Sequence, residues 1–389
     1  MRVIMAEVVD GIFNGISTGS VLLLAALGLA IAFGLMGIIN MAHGELMMLG
    51  AYTTYVIQNL FKSLGAQWFE VYIFFALIAA FIVTGLIGFI LERSVIKFLY
   101  GRPLETLLAT WGVSLILQQF VRSVSWGLLI GIVTFCILFF GGWTIASFRS
   151  NWDRIKNWFA VVMVPLSAAV AIALSFVLGN TYKLAITKPW FGAQNVDVSS
   201  PLWLRGGTTI GTLQMPYTRL FIIALTICCV IGIYLFLQRS PWGLRMRAVT
   251  QNRAMSACLG IPTQKVDSLT FALSSGLAGI AGCAVSFLGS VGPNTGQNYI
   301  VDTFMVVVVG GVGKLVGSIV AALALGTTNY LVGSGAIANL LKPITPLYDL
   351  FTFFATTSMA KVLLFALIVI FLQYKPAGMF PLKGRSIEL

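Results

Sequence analysis

The stretch Leu220-Phe-Ile-Ile-Ala-Leu-Thr-Ile-Cys-Cys-Val-Ile-Gly-Ile-Tyr-Leu-Phe-Leu-Gln-Arg239-Ser-Pro-Trp-Gly-Leu-Arg245-Met-Arg247 decides the fold. Its apolar run extends over 217–238, close to the roughly 20 residues a helix needs to cross the hydrocarbon core. Cations follow at once: Arg239, Arg245, Arg247, Arg253 and Lys265, with no acid before Asp267. An apolar helix that ends in a short basic loop is the pattern of a membrane span emerging on the cytoplasmic side.

Working outward, the same pattern recurs at 11–34, 38–60, 70–91, 104–121, 126–148, 158–179, 266–290, 300–333 and 350–374. The fold class is therefore all-α: a polytopic helical membrane bundle of about 9–11 membrane segments. Composition agrees, with 58% apolar residues and only 9% charged, where a soluble domain carries about 25% charged. The forty glycines suit a membrane bundle, because they let helix backbones approach closely. No polar stretch is long enough to carry its own core, so 1–389 reads as a single transmembrane domain. The N-terminus lacks a signal-peptide pattern, since Glu7 and Asp10 precede its apolar run.

Orientation comes from three basic loops: Arg93, Lys97 and Arg102; Arg149, Arg154 and Lys156; and the 239–265 segment. Two apolar stretches separate each pair, so all three fall on the cytoplasmic side. The polar loop 181–216, with Asn195, Asp197, Pro201 and Gly206-Gly207, then lies outside. The C-terminal Lys375, Lys383 and Arg385 belong inside, which requires 300–333 to enter and return as two short half-spans. The break is predicted at Gly310, Gly311 and Gly313, with Gly317 beyond; close helix packing on glycine is the alternative. With cations confined to short loops, the net charge of +12 reports topology and excludes a nucleic-acid partner. The cysteines Cys136, Cys228, Cys229, Cys258 and Cys283 lack metal-ligand spacing.

Ionisable groups inside the apolar stretches are few. Asn40, His43 and Glu45 open the second one. They read either as the cytoplasmic mouth of a transport route, because intramembrane charge favours a cavity, or as a helix start with Glu45 complementing the dipole. His43 is the only histidine, so no multi-histidine metal site exists. Lys361 reads as roughly three turns inside the last span, long enough to snorkel outward. Lys314 is not a P-loop lysine, because Val308 and Leu315 stand where that motif needs Gly and Ser/Thr. Thr110, Ser114 and Gln118 share a helix face at i, i+4, i+8. With Gln119 and Asn40 they are candidates to line a path, or to bond helix to helix. Within 239–265, one short helix is predicted over Ala248–Leu259, stopped by Gly260 and Pro262, with a small-residue face of Ala254, Ala257 and Cys258. That element suits a peripheral cytoplasmic partner or an anionic lipid surface.

The run Gly34-Leu-Met-Gly-Ile-Ile-Asn40-Met-Ala-His-Gly-Glu45 resembles the permeases of branched-chain amino acid and urea ABC importers. So do Asn252-Arg-Ala-Met-Ser-Ala-Cys-Leu-Gly-Ile261, the Gly310-Gly-Val-Gly313 run and the ending Tyr374-Lys-Pro-Ala-Gly-Met-Phe380. Asn252 and Arg253 stand where the family's coupling motif carries an acid. The resemblance implies coupling to cytoplasmic ATPase subunits through Arg247, Ala248, Asn252, Arg253, Ala254, Ala257 and Gly260. It also implies a second homologous permease subunit, a periplasmic substrate-binding protein and residence in the bacterial inner membrane. ATP is then used by the partners, and this chain carries no cofactor. The segments Phe98-Leu-Tyr-Gly-Arg102 to Gln119 and Phe191-Gly-Ala-Gln-Asn-Val-Asp-Val198 are similar to the urea branch, making urea or short amides the expected substrate. The block 124–190, an apolar hairpin, departs from the family pattern. A branched-chain amino acid permease is the alternative, and a self-contained urea channel or ion-coupled carrier is the rival of another class. An intramembrane enzyme fails for want of a catalytic set.

Overall fold

The computed structural model describes residues 2–147, 152–181, 189–210, 213–342 and 345–380. Lys383 and Arg385 lie outside them, as does Arg149. The helices are α1 (Arg2–Ile31), α2 (His43–Leu64), α3 (Ala66–Phe69), α4 (Tyr72–Ser94), α5 (Pro103–Ser123), α6 (Trp126–Ser147) and α7 (Trp152–Thr181). The antiparallel strands β1 (Gly207–Ile210) and β2 (Leu213–Pro216) follow. Then come α8 (Tyr217–Arg239), α9 (Pro241–Gln251), α10 (Arg253–Cys258), α11 (Thr263–Ser286), α12 (Thr295–Gly310), α13 (Leu315–Gly333), α14 (Ala336–Leu340), α15 (Thr345–Phe353) and α16 (Thr357–Tyr374). Among the described residues, eight helices are long and apolar enough to cross a membrane. The chain is a polytopic helical membrane protein, with one small β-hairpin that hydropathy does not reveal.

Two compact units divide it: Met1–Leu115 with Val196–Leu389, and Ile116–Asn195. In the first, α1 and α11 are the most deeply buried of the long apolar helices, and α11 carries buried polar groups such as Asp267, Ser268 and Ser274. α1 packs along α13, α11, α8 and α12, and α11 packs along α4 and α2. Glycines set these distances. Gly11, Gly15 and Gly19 lie against Leu331, Thr327 and Ala322, so α1 and α13 run antiparallel with backbones nearly touching. A methyl group at Gly282 would overlap the Met47 carbonyl, and one at Gly50 would overlap Gly279. Small residues are the usual means of association in lipid, where apolar burial alone gives little drive.

Several boundaries differ from the hydropathy reading. The Gly310–Lys314 break exists, with Gly311 and Gly313 at φ +96° and +86°, but α13 is no half-span: its 19 residues run antiparallel to α1 from Gly11 onward. The break therefore lies at one end of the bundle, where Gly313 meets Gly34. The last apolar stretch is two helices. Thr356 accepts from the Met359 N–H at 3.3 Å and caps α16, so Lys361 sits one turn in, not three.

In the second unit, α6 and α7 pack as an antiparallel hairpin. Its base is closed by Trp190, whose N–H donates to the Val124 carbonyl at 2.9 Å and whose ring meets Trp126 edge-on at 4.8 Å.

Candidate functional site

The first site begins where α1 ends. Gly37, at φ +70°, reverses the chain, and 38–42 climbs back beside α1 without helical structure. α2 then starts against the middle of α1. His43 Nε2 donates to the Ala25 carbonyl at 3.0 Å, eleven residues before Met36, or roughly 16 Å of helix. Asn40 Oδ1 accepts from the Ala42 N–H at 3.0 Å, an Asx turn that starts the helix. α5 closes over this segment: the Met41 N–H donates to Thr110 Oγ1 at 3.1 Å, and Ser114 Oγ donates to Glu45 Oε1 at 3.1 Å.

A second helix starts at the same depth. After α11 the chain turns back at 287–294, where the Gly292 N–H donates to Thr295 Oγ1 at 2.8 Å. The first turn of α12 brings Gly296 onto Gly44, backbone against backbone, with the other Glu45 oxygen beside it. One carboxylate thus lies at two helix N-termini, whose partial positive charges favour it. Asn40, His43, Glu45, Thr110 and Ser114 are each 5% exposed or less. The structure therefore brings these five predicted residues together, buried and closed, beside the middle of α1. The physical reason is the unwound 38–42 segment, which hydropathy cannot distinguish from helix. Gln118 and Gln119 both belong to the second unit, Gln118 buried and Gln119 exposed.

The second site lies at the end of the first unit where α4, α8 and α11 meet the basic loops. One predicted helix over Ala248–Leu259 is in fact two. Ser240 Oγ caps α9 by accepting from the Gly243 N–H at 2.9 Å, and Thr250 Oγ1 donates to the Leu35 carbonyl at 3.0 Å. Arg247 Nη1 donates to Gln238 at 3.0 Å, and Ala248 is half-buried. Asn252 is extended (φ −152°, ψ 100°) and caps α10, its side chain accepting from the Met255 N–H. Asparagine competes in this way with helix continuation. Gly260, at φ +78°, ends α10 with a Schellman pair: Ile261 N–H to Ser256 O and Gly260 N–H to Ala257 O. Ala254, Met255, Ala257, Cys258 and Leu259 are all exposed.

α10 is tied to the bundle through its first residue. Arg253 Nη2 lies 2.6 Å from Asp267 Oδ2 on α11, and its guanidinium lies 4.7 Å from the centre of the Tyr100 ring. The Tyr100 hydroxyl donates to Glu92 Oε1 on α4 at 2.8 Å, and Ser268 donates to the same carboxylate. Burial, with Asp267 and Glu92 nearby, pushes the Tyr100 phenol well above its ordinary range, so it stays a donor. Glu92, Tyr100, Arg253 and Ser268 border a cavity of 600 Å³ that Arg93, Lys97 and Lys265 also line. Glu92, Tyr100, Asp267 and Ser268 were missed by sequence reasoning; two acids inside strongly apolar helices were the available signal. Asp302 was missed too. It pairs with Lys361 at 2.6 Å, so Lys361 points at α12 and does not snorkel.

The chain matches, over residues 11–372, the protein family described as branched-chain amino acid transport system / permease component. The high-affinity branched-chain amino acid transport system permease protein LivH of Salmonella typhimurium is 24% identical over 368 residues, covering 94% of this chain and 93% of the relative. BraD of Pseudomonas aeruginosa, of the same description, is 24% identical over 315 residues, 80% of this chain and 82% of its own. The ribose import permease RbsC of Bacillus subtilis is 30% identical over 104 residues, 25% of this chain and 32% of its own. No solved structure matches the chain.

Proposed function

We propose, from the premise that this chain belongs to the branched-chain amino acid transport permease family, that it is the membrane-spanning subunit of an ATP-driven importer of branched-chain amino acids in the bacterial inner membrane. Full-length relatives described as branched-chain amino acid permeases support that substrate over the urea expected from 98–119 and 191–198. The observation that carries the transport reading is α10: short, capped at both ends, exposed except at Ser256, and clasped to the bundle through Arg253. In this reading the basic end faces the cytoplasm and receives ATPase subunits on Ala254, Ala257 and Leu259.

Motion delivered there reaches α11 through Arg253–Asp267 and α4 through Tyr100–Glu92. Both helices pack on α2, whose first turn meets α12 at Gly44 and Gly296. Parting those two helix ends would uncover Asn40, His43, Glu45 and Ser114 to a passing solute. A second homologous permease would supply the other wall of the route. A periplasmic binding protein would deliver the substrate.

Radiolabelled uptake in a strain lacking the gene tests the reading. Restoring the gene should restore leucine uptake, and excess urea should not compete. Urea uptake without leucine uptake would return the substrate to urea. Ala257→Glu should keep the chain in the membrane but lose the ATPase on purification; undiminished retention and uptake would refute the docking assignment.

A further inference from the structure

A groove of 470 Å³ runs along the first unit between α4, α8, α9 and α11. Phe81, Leu86, Phe89, Phe236, Trp242 and Leu269 wall it, and none of its lining residues is charged. Ile82, Leu86 and Leu269 are exposed, so in a bilayer the groove opens onto acyl chains. Two of its aromatic walls also carry cations. The Arg93 guanidinium lies 4.6 Å from the Phe89 ring centre, and that of Arg245 lies 4.9 Å from the Trp242 ring. Both arginines are exposed. Cation–π contact fixes such a group beside its ring, here at the rim of the groove. The acids of this end are already engaged: Glu92 by Tyr100 and Ser268, and Asp267 by Arg253.

We propose that this groove binds one acyl chain of an anionic phospholipid whose headgroup rests between Arg93 and Arg245. A slender apolar chain ending in negative charge matches an uncharged slot rimmed by two cations. A neighbouring helix would have to bring acids of its own to the same level. Anionic headgroups are attracted to Lys and Arg at a membrane surface, whereas zwitterionic headgroups carry no net charge to attract. The site sits beside α9, so the lipid steadies the element that carries α10. The inference concerns the surface of the chain and holds whatever the substrate is.

The full-length chain, purified in mild detergent and mixed with equal amounts of phosphatidylglycerol and phosphatidylcholine, tests it by native mass spectrometry. Wild type should retain phosphatidylglycerol with about tenfold preference. Arg93→Gln with Arg245→Gln should erase the preference. Leu269→Trp should reduce retention of both lipids, and Ile82→Trp repeats that test from the opposite wall if the first variant fails to fold. Lys97→Gln with Lys265→Gln, which alters the adjoining cavity, should change nothing. Equal retention of the two lipids by wild type would overturn the proposal. So would a preference that survives loss of both arginines, a preference that tracks Lys97 and Lys265, or occupancy by a second copy of the chain that lipid does not displace.

Discussion

The two compact units use the same residue for opposite ends. In the first, glycines are contact points: Gly282 lies under the Met47 carbonyl, Gly50 on Gly279, Gly44 on Gly296. In the second, nothing lies within 4 Å of a methyl group placed at Gly141, at Gly131 the nearest atom is the Ala171 carbonyl at 3.8 Å, and at Gly142 the close neighbour is the flexible end of Met163 and not a backbone. The hairpin is joined instead by side chains, with Phe139, Trp143 and Phe159 in successive ring contacts. The lesson is that glycine count does not measure glycine dependence. At these contacts the first unit is assembled by backbone proximity and has no slack, although Gly112 and Gly232 of the same unit face open space. The second is assembled by flexible side chains and tolerates change.

The largest test of that contrast is Gly282→Ala. Overlap with a backbone carbonyl that cannot yield should cost about 3 kcal/mol, read as loss of the monodisperse peak on size exclusion after detergent extraction. A normal peak would break the comparison. Next is Lys361→Ala, which leaves Asp302 beside an empty place. Because the lysine is 38% exposed, the loss should stay below the 3–5 kcal/mol range of fully buried pairs, at about 2 kcal/mol by thermal unfolding. Asp302→Asn with Lys361→Met should recover most of it, and no recovery would mean that the lysine acts through something other than that carboxylate. Asn252→Ala removes the α10 cap and should cost about 1 kcal/mol of local helix, seen as faster amide exchange at 253–258 with the rest unchanged. Gly141→Ala should reverse the sign, raising stability by about 0.5 kcal/mol because alanine favours a helix interior. Any destabilisation there would show that the hairpin glycines also mediate close contacts. Replacing 125–189 by a short flexible linker should leave uptake intact, since Val124 and Trp190 are already hydrogen-bonded neighbours.

Much of this was legible before the structure. Length and apolarity located the main helices, and the glycine run at 310–313 marked a true break. The i, i+4 spacing of Thr110 and Ser114 foretold a shared face, and both meet the segment that holds Asn40 and Glu45. What stayed hidden depends on depth and on distant pairing. The residues 38–42 and 287–290 read as parts of apolar runs, because hydropathy averages over a turn that returns the chain to mid-depth. Asp302 and Lys361 are 59 residues apart, and nothing local couples them. The Asn252 break follows from one side chain competing for a backbone amide, an effect smaller than the helix propensity around it.

The clasp on α10 carries a mechanical consequence. An element of six residues, stopped at both ends and gripped at its root by a charge pair and a ring, is too short and too constrained to bend. Under the proposed ATPase docking, a push on it would tilt it as a unit and load α11 directly through Arg253–Asp267 and α4 only by way of Tyr100 and Glu92. In that docking, the length of the stroke would be set by the partner that presses and not by the six residues that are pressed.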